Sequence, residues 1–288
     1  MIPETLHVHG PGRCGMALAR MLRARGTRVL SLSGGSGRQG HPAAAELRVP
    51  FTSALPPLPR GTWMLIAVPD DALSRVASEL AEGALPEAGW VLHPSAMHGR
   101  KVLAPLAARG LITAAFHPLR AFPSGVATFD LAGALVAVDA DPGREQSVRA
   151  LAEALGGVPV CVPDEARTAW HLGATLAGNG PLALLHLAVR VWQRAGVEPE
   201  LAWRALAALA TPVVECAGSA GARGLTGPVA RGDKHTVAEH LLHMSREHPE
   251  ALALLRELDR ELLRAAEALP DGASRRREVK RLLEGEGA

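Results

Sequence analysis

Four polar side chains could carry acid–base chemistry. His117 ends one predicted strand, and Ser95 follows the end of the neighbouring one. His171 and Asn179 lie in a stretch with helical periodicity, at a spacing that puts them near one helix face. Imidazole exchanges a proton near neutral pH, and Ser and Asn hydrogen-bond polar groups. We predict that His117 delivers a proton or positions a substrate oxygen, that Ser95 and Asn179 hold the substrate, and that His171 is the alternative donor.

Missing residue types narrow the choice of proton donor. The chain has no Tyr, and it has no Lys between Lys101 and Lys234. An exposed carboxylate is ionised at neutral pH and is therefore a poor donor. The remaining alternative for His117 is a structural role, with its ring hydrogen-bonded ahead of a proline turn.

A glycine-rich turn near the start of the chain indicates a dinucleotide site. Gly10, Gly12 and Gly15 follow an extended segment and precede a predicted helix. In this motif the first glycine permits the tight turn, the second lets the backbone approach a pyrophosphate, and the third lets helix and strand pack closely. The predicted cofactor loop is Gly10, Pro11, Gly12, Arg13, Cys14 and Gly15. An ordinary strand–helix turn is the alternative.

The end of the second predicted strand bears on the choice of cofactor. An acidic residue at this position binds the ribose 2′-hydroxyl of NAD. Here the segment contains Ser33, Ser36 and Arg38 and no carboxylate. This favours a 2′-phosphate, and therefore NADP over NAD, although a flexible Gly/Ser loop with a solvated Arg is the alternative.

A third strand end is expected beside the cofactor. The apolar run from Trp63 predicts a buried strand that ends at Val68, Pro69 and Asp70. Ligands of such sheets bind at the carboxyl ends of strands. Asp70 could instead only cap the helix that follows.

The order of elements predicts an α/β fold with two domains. Strand and helix patterns alternate through the first half, as in a doubly wound parallel sheet. No strand pattern follows position 163. We expect a Rossmann dinucleotide-binding domain at 1–162 and an all-helical substrate and dimerisation domain at 163–288.

Composition argues against several classes of protein. The formal net charge is +2, and no Lys/Arg cluster alternates with aromatic residues, so no nucleic-acid partner is expected. The first residues do not resemble a signal peptide, and no uncharged apolar run approaches the roughly 18 residues of a membrane helix. The three cysteines have no paired spacing and indicate reduced thiols. We expect a cytoplasmic protein without a membrane partner.

A metal site is not expected. His235, Glu239 and His243 share a predicted helix face. Zinc requires three or four converging ligands, and no further acidic or Cys partner is evident nearby in the sequence.

These landmarks together resemble a bacterial family that joins a Rossmann-like domain to the domain of unknown function DUF2520. The family belongs to the 6-phosphogluconate-dehydrogenase-like reductases. The matching segments are 10–15, 66–72, 93–95, 116–122 and 225–233. The resemblance implies a helical second domain that helps form a homodimer. Pro11 and Pro94 depart from the usual pattern, since the family usually has a small residue and a Thr there.

Two local similarities suggest roles for further residues. Segment 177–181 is similar to the glycine–proline helix of pyrroline-5-carboxylate reductase, which implies that the Thr226 loop binds a substrate carboxylate. Arg231 could hold that carboxylate with two hydrogen bonds, beside Asp233 as a helix cap. His117 and Pro118 are similar to a catalytic His-Pro pair of prephenate dehydrogenases.

The expected function is therefore an NADP-dependent oxidoreductase. It would transfer a hydride to or from a small carbonyl or imine acid, either ketopantoate-like or pyrroline-carboxylate-like. The alternative is a non-catalytic NADP-binding regulatory or scaffold dimer.

Overall fold

The computed structural model describes residues 2–34, 42–122 and 130–285. Eight strands form one sheet within these residues. The strands are β1 (Thr5–His9), β2 (Arg28–Ser33), β3 (Phe51–Thr52), β4 (Trp63–Ile66), β5 (Trp90–His93), β6 (Ile112–Pro118), β7 (Leu135–Ala140) and β8 (Val158–Cys161).

Helices make up most of the remaining structure. They are α1 (Arg13–Arg23), α2 (Pro42–Leu47), α3 (Asp70–Glu82), α4 (Ala104–Ala107), α5 (Glu145–Ala154), α6 (Arg167–Gly178), α7 (Gly180–Arg194), α8 (Pro199–Ala220), α9 (Pro228–Arg231), α10 (Lys234–Glu247), α11 (Leu252–Ala266) and α12 (Ala273–Glu284).

The strand order confirms the predicted α/β fold. The sheet runs β3-β2-β1-β4-β5-β6-β7-β8, and its strands from β3 to β6 are parallel. The order reverses between β1 and β4, which is where nucleotide-binding sheets of this kind bind their ligands. β7 departs from the parallel arrangement because it pairs antiparallel with β6, with His117 opposite Ala137.

Helices cover both faces of the sheet. On one face, Leu6 and Val8 pack in a core with residues of α1, α2 and α5. On the other face, Met64 and Ile66 pack with residues of α3 and α4. This two-sided burial explains why the central strands read as continuous apolar runs. His7 and His9 are the exceptions on β1, and serine hydroxyls of β2 lie within hydrogen-bond distance of both rings.

The chain divides into two compact units, 1–178 and 179–288. The first contains the sheet and α1 to α6, and the second contains α7 to α12. The last strand ends at Cys161, near the predicted domain boundary at 162, but α6 belongs to the first unit. A single helix was expected across this region; instead Asn179 separates α6 from α7.

Several helices expose apolar side chains. The stretches Asp164–Arg194 and Pro199–Arg231 have mean hydropathy 1.3 in their most apolar windows, of which only 6% is buried. They reach the length and apolar composition of membrane spans, which the sequence did not lead us to expect. Because helices that pack inside proteins also have these properties, length and composition do not establish a membrane location.

Candidate functional site

Several of the candidate site residues in the first unit lie along one edge of the sheet. β1, β4, β5 and β6 are adjacent parallel strands, so their carboxyl ends face the same way. The first three of these strands lead directly into Gly10, Ala67 and Pro94, and His117 is the last residue but one of β6. The first unit therefore brings the glycine turn, the Ser95 loop and His117 to one edge, as the sequence predicts for parallel strands.

The glycine turn has the geometry of a dinucleotide motif. Gly10 has φ of +84°, and a Cβ there would lie 2.8 Å from the Ala67 carbonyl oxygen. A Cβ on Gly15 would lie 2.8 Å from the Gly10 carbonyl oxygen. A Cβ on Gly12 meets no described atom within 4 Å. At Gly10 and Gly15 a side chain would therefore clash with the protein's own backbone, whereas Gly12 leaves space beside the backbone.

The same turn leaves a helix end without a cap. Gly12 is the N-cap of α1, no side chain caps it, and the first turn contains no acidic residue. The first N–H groups of a helix have no partner within the helix, and they carry partial positive charge. Arg13 is exposed at this end. With no capping side chain or first-turn carboxylate among the described residues, the start of α1 is suited to bind an anion such as a pyrophosphate.

Cys14 and Pro11 are the other two uncharged residues of the predicted cofactor loop. Burial raises the pKa of the Cys14 thiol to about 12, so this thiol is protonated and unreactive at neutral pH. The Pro11 ring packs beside Gly34, whose built Cβ would lie 3.7 Å from Pro11 Cδ. The proline that departs from the family pattern therefore contacts the end of β2.

The end of β2 contains an unusual buried polar network. The Ser33 hydroxyl lies 2.8 Å from both His7 Nε2 and His9 Nδ1, and the Ser31 hydroxyl lies 2.8 Å from His7 Nδ1. Ser33 is fully buried, so its predicted contact with a cofactor phosphate would have to use its backbone. No carboxylate occupies residues 31–34, whereas Ser36 and Arg38 lie outside the described residues.

The segment after β4 lies against the glycine turn. Val68 Cγ1 would be 2.9 Å from a Cβ on Gly10, which places Val68 and Pro69 beside the predicted cofactor loop. Asp70 is the first residue of α3, whose N-cap is Pro69 without a side-chain hydrogen bond. The alternative assignment of Asp70 as the N-cap is therefore wrong. Its carboxylate contributes a charge near His117 instead.

Ser95 lies in a loop that its own side chain stabilises. The Ser95 hydroxyl oxygen accepts hydrogen bonds from the backbone N–H groups of Met97 and His98, at 3.1 and 3.2 Å. His93 supports the same loop, because Nδ1 accepts from the Ser95 N–H and Nε2 donates to the Gly99 carbonyl. Burial lowers the pKa of His93 to about 3. The Ser95 O–H remains available as a donor.

His117 is half-buried and contacts an aromatic residue. Trp170 Nε1 donates a hydrogen bond to His117 Nδ1 at 3.1 Å, and the two rings are nearly perpendicular, at 84°. Burial, followed by the Arg167 and His171 charges, lowers the pKa of His117 to about 4, although the Asp70 charge opposes this shift. This value corrects our expectation of a ring that titrates near neutral pH. At pH 7 His117 is neutral.

His171 and Asn179 occur in different compact units. His171 lies on α6, half-buried, and its charge acts on His117. Asn179 is exposed and forms the N-cap position of α7 without a side-chain hydrogen bond. Their predicted position on one helix face is therefore not observed, since they no longer share one helix.

In the second unit, Thr226 and Arg231 line one cavity of about 340 Å³. Arg275 and Asp271 also line it. Asp233 caps α10, as predicted, since its carboxylate accepts from the Thr236 N–H at 3.1 Å and the Thr236 hydroxyl at 2.7 Å. Arg231 is exposed at the end of α9 and is free of an ion pair within the described residues.

Sequence reasoning missed Arg167 and Trp170. Arg167 is fully buried, and its guanidinium nitrogens make no hydrogen bond to any described residue. Its nearest carboxylate oxygen is on Asp164, at 4.0 Å. The sequence did contain a signal for them, because Arg167 and Trp170 lie in the first turn of the helix that follows the last strand. We interpreted that helix only through His171 and Asn179.

Across residues 2–34, 42–122 and 130–285, no group of three His, Cys, Asp or Glu side chains converges as a metal site would. His235, Glu239 and His243 belong to α10, where the sequence had placed them on one face.

Comparison with family models identifies two successive domains. Residues 5–118 match a Rossmann-like domain, and residues 134–262 match the domain of unknown function DUF2520. The chain carries a Rossmann-like domain and a DUF2520 domain. This confirms the family resemblance inferred from the sequence. No curated protein sequence matches the chain.

Solved structures share the fold over almost their full length. A candidate NADP oxidoreductase from Bacteroides fragilis has a TM-score of 0.73 at 17% identity, covering 90% of this chain and 97% of that one. A protein from Thermotoga maritima has a TM-score of 0.68 at 22% identity, with coverages of 91% and 98%. An imine reductase from Myxococcus stipitatus, solved with NADP⁺, has a TM-score of 0.60 at 18% identity, with coverages of 91% and 94%. At these identities the likeness shows the fold.

Proposed function

We propose that the protein is an NADP-dependent oxidoreductase that transfers a hydride to or from a small carbonyl or imine acid. The observation that supports this most is the sheet edge itself. The glycine turn, which leads into a helix without a capping side chain, and the neutral His117 lie at the carboxyl ends of parallel strands of the same sheet. The names of the structural neighbours, which include an NADP oxidoreductase candidate and an imine reductase with NADP⁺, point to the same reaction class.

The residues present fit a dinucleotide. The space beside Gly12 and the free N–H groups of α1 would hold the pyrophosphate. The absence of a carboxylate at residues 31–34 supports NADP over NAD, and Arg13 and Arg38 supply candidate charges for the 2′-phosphate. The nicotinamide would supply or accept the hydride.

At the reacting end, His117 and Ser95 would orient the substrate. A neutral imidazole donates a hydrogen bond to a developing oxyanion, which stabilises charge in the transition state. The free Ser95 O–H offers a second donor, and His171 lies on the adjoining helix α6. In this proposal His117 polarises the reacting group rather than acting as an imidazolium, and water supplies the proton that neutralises the reduced product.

The cavity with Thr226 and Arg231 is the proposed carboxylate site of the substrate. Arg231 could bind a carboxylate through two N–H groups. Arg275 increases the positive charge there, and Asp271 reduces it. A carboxylate subsite fits both the ketopantoate-like and the pyrroline-carboxylate-like substrates.

We also propose a homodimer formed through the helical part. In α8, Leu209, Val213 and Val214 are 65%, 57% and 61% exposed. Exposed apolar side chains grouped along one helix in this way are typical of a protein interface. Sedimentation of the purified protein should give the mass of two chains at micromolar concentration. Val213→Glu should shift the mass to that of one chain, and a monomeric parent protein would contradict the proposal.

A cytoplasmic location remains a prediction.

The reaction is tested by screening purified protein with NADPH against 2-oxo acids and cyclic imines. Substrate-dependent oxidation of NADPH, absent in Gly12→Asp, is the expected result. With NADPH labelled by deuterium at the transferable position, the product should contain the label. Tight NADPH binding with no turnover across the panel would instead support the non-catalytic regulatory or scaffold alternative.

A further inference from the structure

We propose that Trp170 is a positioning residue that fixes His117 as the neutral tautomer with its hydrogen on Nε2. The site then presents an N–H donor at the sheet edge rather than a base. The catalytic consequence rests on the proposed function, whereas the tautomer is a property of the protein alone.

The hydrogen bond determines which nitrogen carries the proton. The indole Nε1–H can only donate, so the nitrogen facing it must offer a lone pair. That nitrogen is His117 Nδ1, 3.1 Å from Trp170 Nε1. A neutral imidazole carries one hydrogen, and therefore the hydrogen lies on Nε2. Doubly protonated imidazolium cannot accept this bond, so Trp170 also disfavours the charged form.

The surrounding charges act in the same direction. Arg167, on α6, places positive charge near the ring, and two further histidines that contribute to or share this environment are His171 on α6 and His93 on the neighbouring strand β5. Asp70 is the opposing negative charge, from the start of α3. Arg167 is fully buried, has no hydrogen-bond partner among the described residues and faces the Asp164 and Asp139 carboxylates, the former at 4.0 Å, so solvent screens its field little while these two carboxylates partly offset it. A second proton on His117 is disfavoured by these neighbours.

The Nε2 side of the His117 ring has no hydrogen-bond partner among the described residues and is not fully enclosed by them. His117 also lies at the end of β6, on the edge that contains the glycine turn. An Nε2–H in this position can donate to a carbonyl oxygen or to an unprotonated imine nitrogen. It cannot donate to an iminium nitrogen, because that nitrogen has no lone pair.

The tautomer can be measured without any substrate. In full-length protein labelled with ¹⁵N-histidine, the His117 signals are assigned by their loss in His117→Gln. The expected spectrum has a protonated Nε2 and an unprotonated Nδ1, unchanged from pH 8 to pH 5. Trp170→Phe keeps an aromatic ring but removes the donor, so a measurable population of the Nδ1–H tautomer should appear beside the Nε2–H tautomer. Circular dichroism and urea unfolding check that this variant is folded.

Two results would overturn the proposal. One is a parent protein whose His117 carries its hydrogen on Nδ1 or titrates near pH 6.5, a result that does not depend on any variant folding. The other is a folded Trp170→Phe protein with the parent spectrum. Failure of the proposed function is distinguishable, since it would abolish turnover in the screen while leaving the tautomer signals unchanged.

Discussion

The substitution Gly12→Asp should affect stability and cofactor binding in opposite directions. Gly12 has φ of −75° and ψ of −170°, a conformation open to any residue, and a Cβ there meets no described atom within 4 Å. Aspartate is a preferred N-cap, and α1 has no capping side chain. The carboxylate would accept hydrogen bonds from the same N–H groups that we assign to the pyrophosphate.

The magnitudes follow from these two roles. Replacing an N-cap glycine by Asp should add a few tenths of a kcal/mol from capping and about 0.3–1 kcal/mol from the helix dipole. We therefore expect the free energy of unfolding to rise by about 1 kcal/mol. A carboxylate about 4 Å from a phosphate costs about 4 kcal/mol at an effective dielectric constant of about 20. Allowing for screening by salt, NADPH affinity should fall by at least about 100-fold.

Urea unfolding and NADPH titration test both expectations. Gly12→Asn is the matched control, because it caps the helix without the charge, so it should keep only the few tenths of a kcal/mol from capping and lose less affinity. Gly15→Ala is the contrasting variant, since its Cβ would lie 2.8 Å from the Gly10 carbonyl oxygen and should destabilise the fold. A Gly12→Asp protein that binds NADPH as tightly as the parent would refute the placement of the pyrophosphate.

Two further predictions concern stability. Burial and the nearby His9 lower the pKa of His7 from 6.5 to about 4 in the folded protein. As the pH falls, the unfolded state therefore takes up a proton first. The contribution of His7 to stability is complete above pH 6.5 and is lost as the pH falls towards 4. His7 should account for a loss of about 2 kcal/mol at pH 5, and urea unfolding of His7→Gln should show a smaller loss between pH 7 and 5; an equal loss would contradict this. Asp233→Ala should lower the free energy of unfolding through loss of the α10 cap, whereas Asp233→Asn, which can still cap the helix, should retain most of that stability; equal losses in the two variants would count against the cap.

The fold could be predicted from the sequence because its signals are local. The continuous apolar run of β4 and the glycines after β1 identify a parallel sheet and its ligand-binding edge without knowledge of tertiary contacts. The reversed direction of β7 could not be predicted, because apolar alternation does not encode which way a strand enters the sheet. The break at Asn179 was also missed, since helical periodicity continues through it.

The site was predicted less completely, because its chemistry depends on tertiary contacts. His117 was identified from its position at a strand end, but its pKa depends on burial and on Arg167, fifty positions later in the chain. Similarly, the sequence shows two histidines, His7 and His9, on the otherwise apolar β1, and only strand pairing shows that Ser31 and Ser33 satisfy them. Residue type identifies candidates, whereas protonation state requires the neighbours.

The most direct test of the central claim is a calorimetric titration of the purified parent protein with NADPH, with NADH titrated in parallel. We expect one saturable site per chain, with a dissociation constant in the range of about 1 μM to 1 mM that is typical of enzymes for their substrates, and weaker binding of NADH. Absence of NADPH binding, or tighter binding of NADH, would contradict the assignment of the sheet edge as an NADP site.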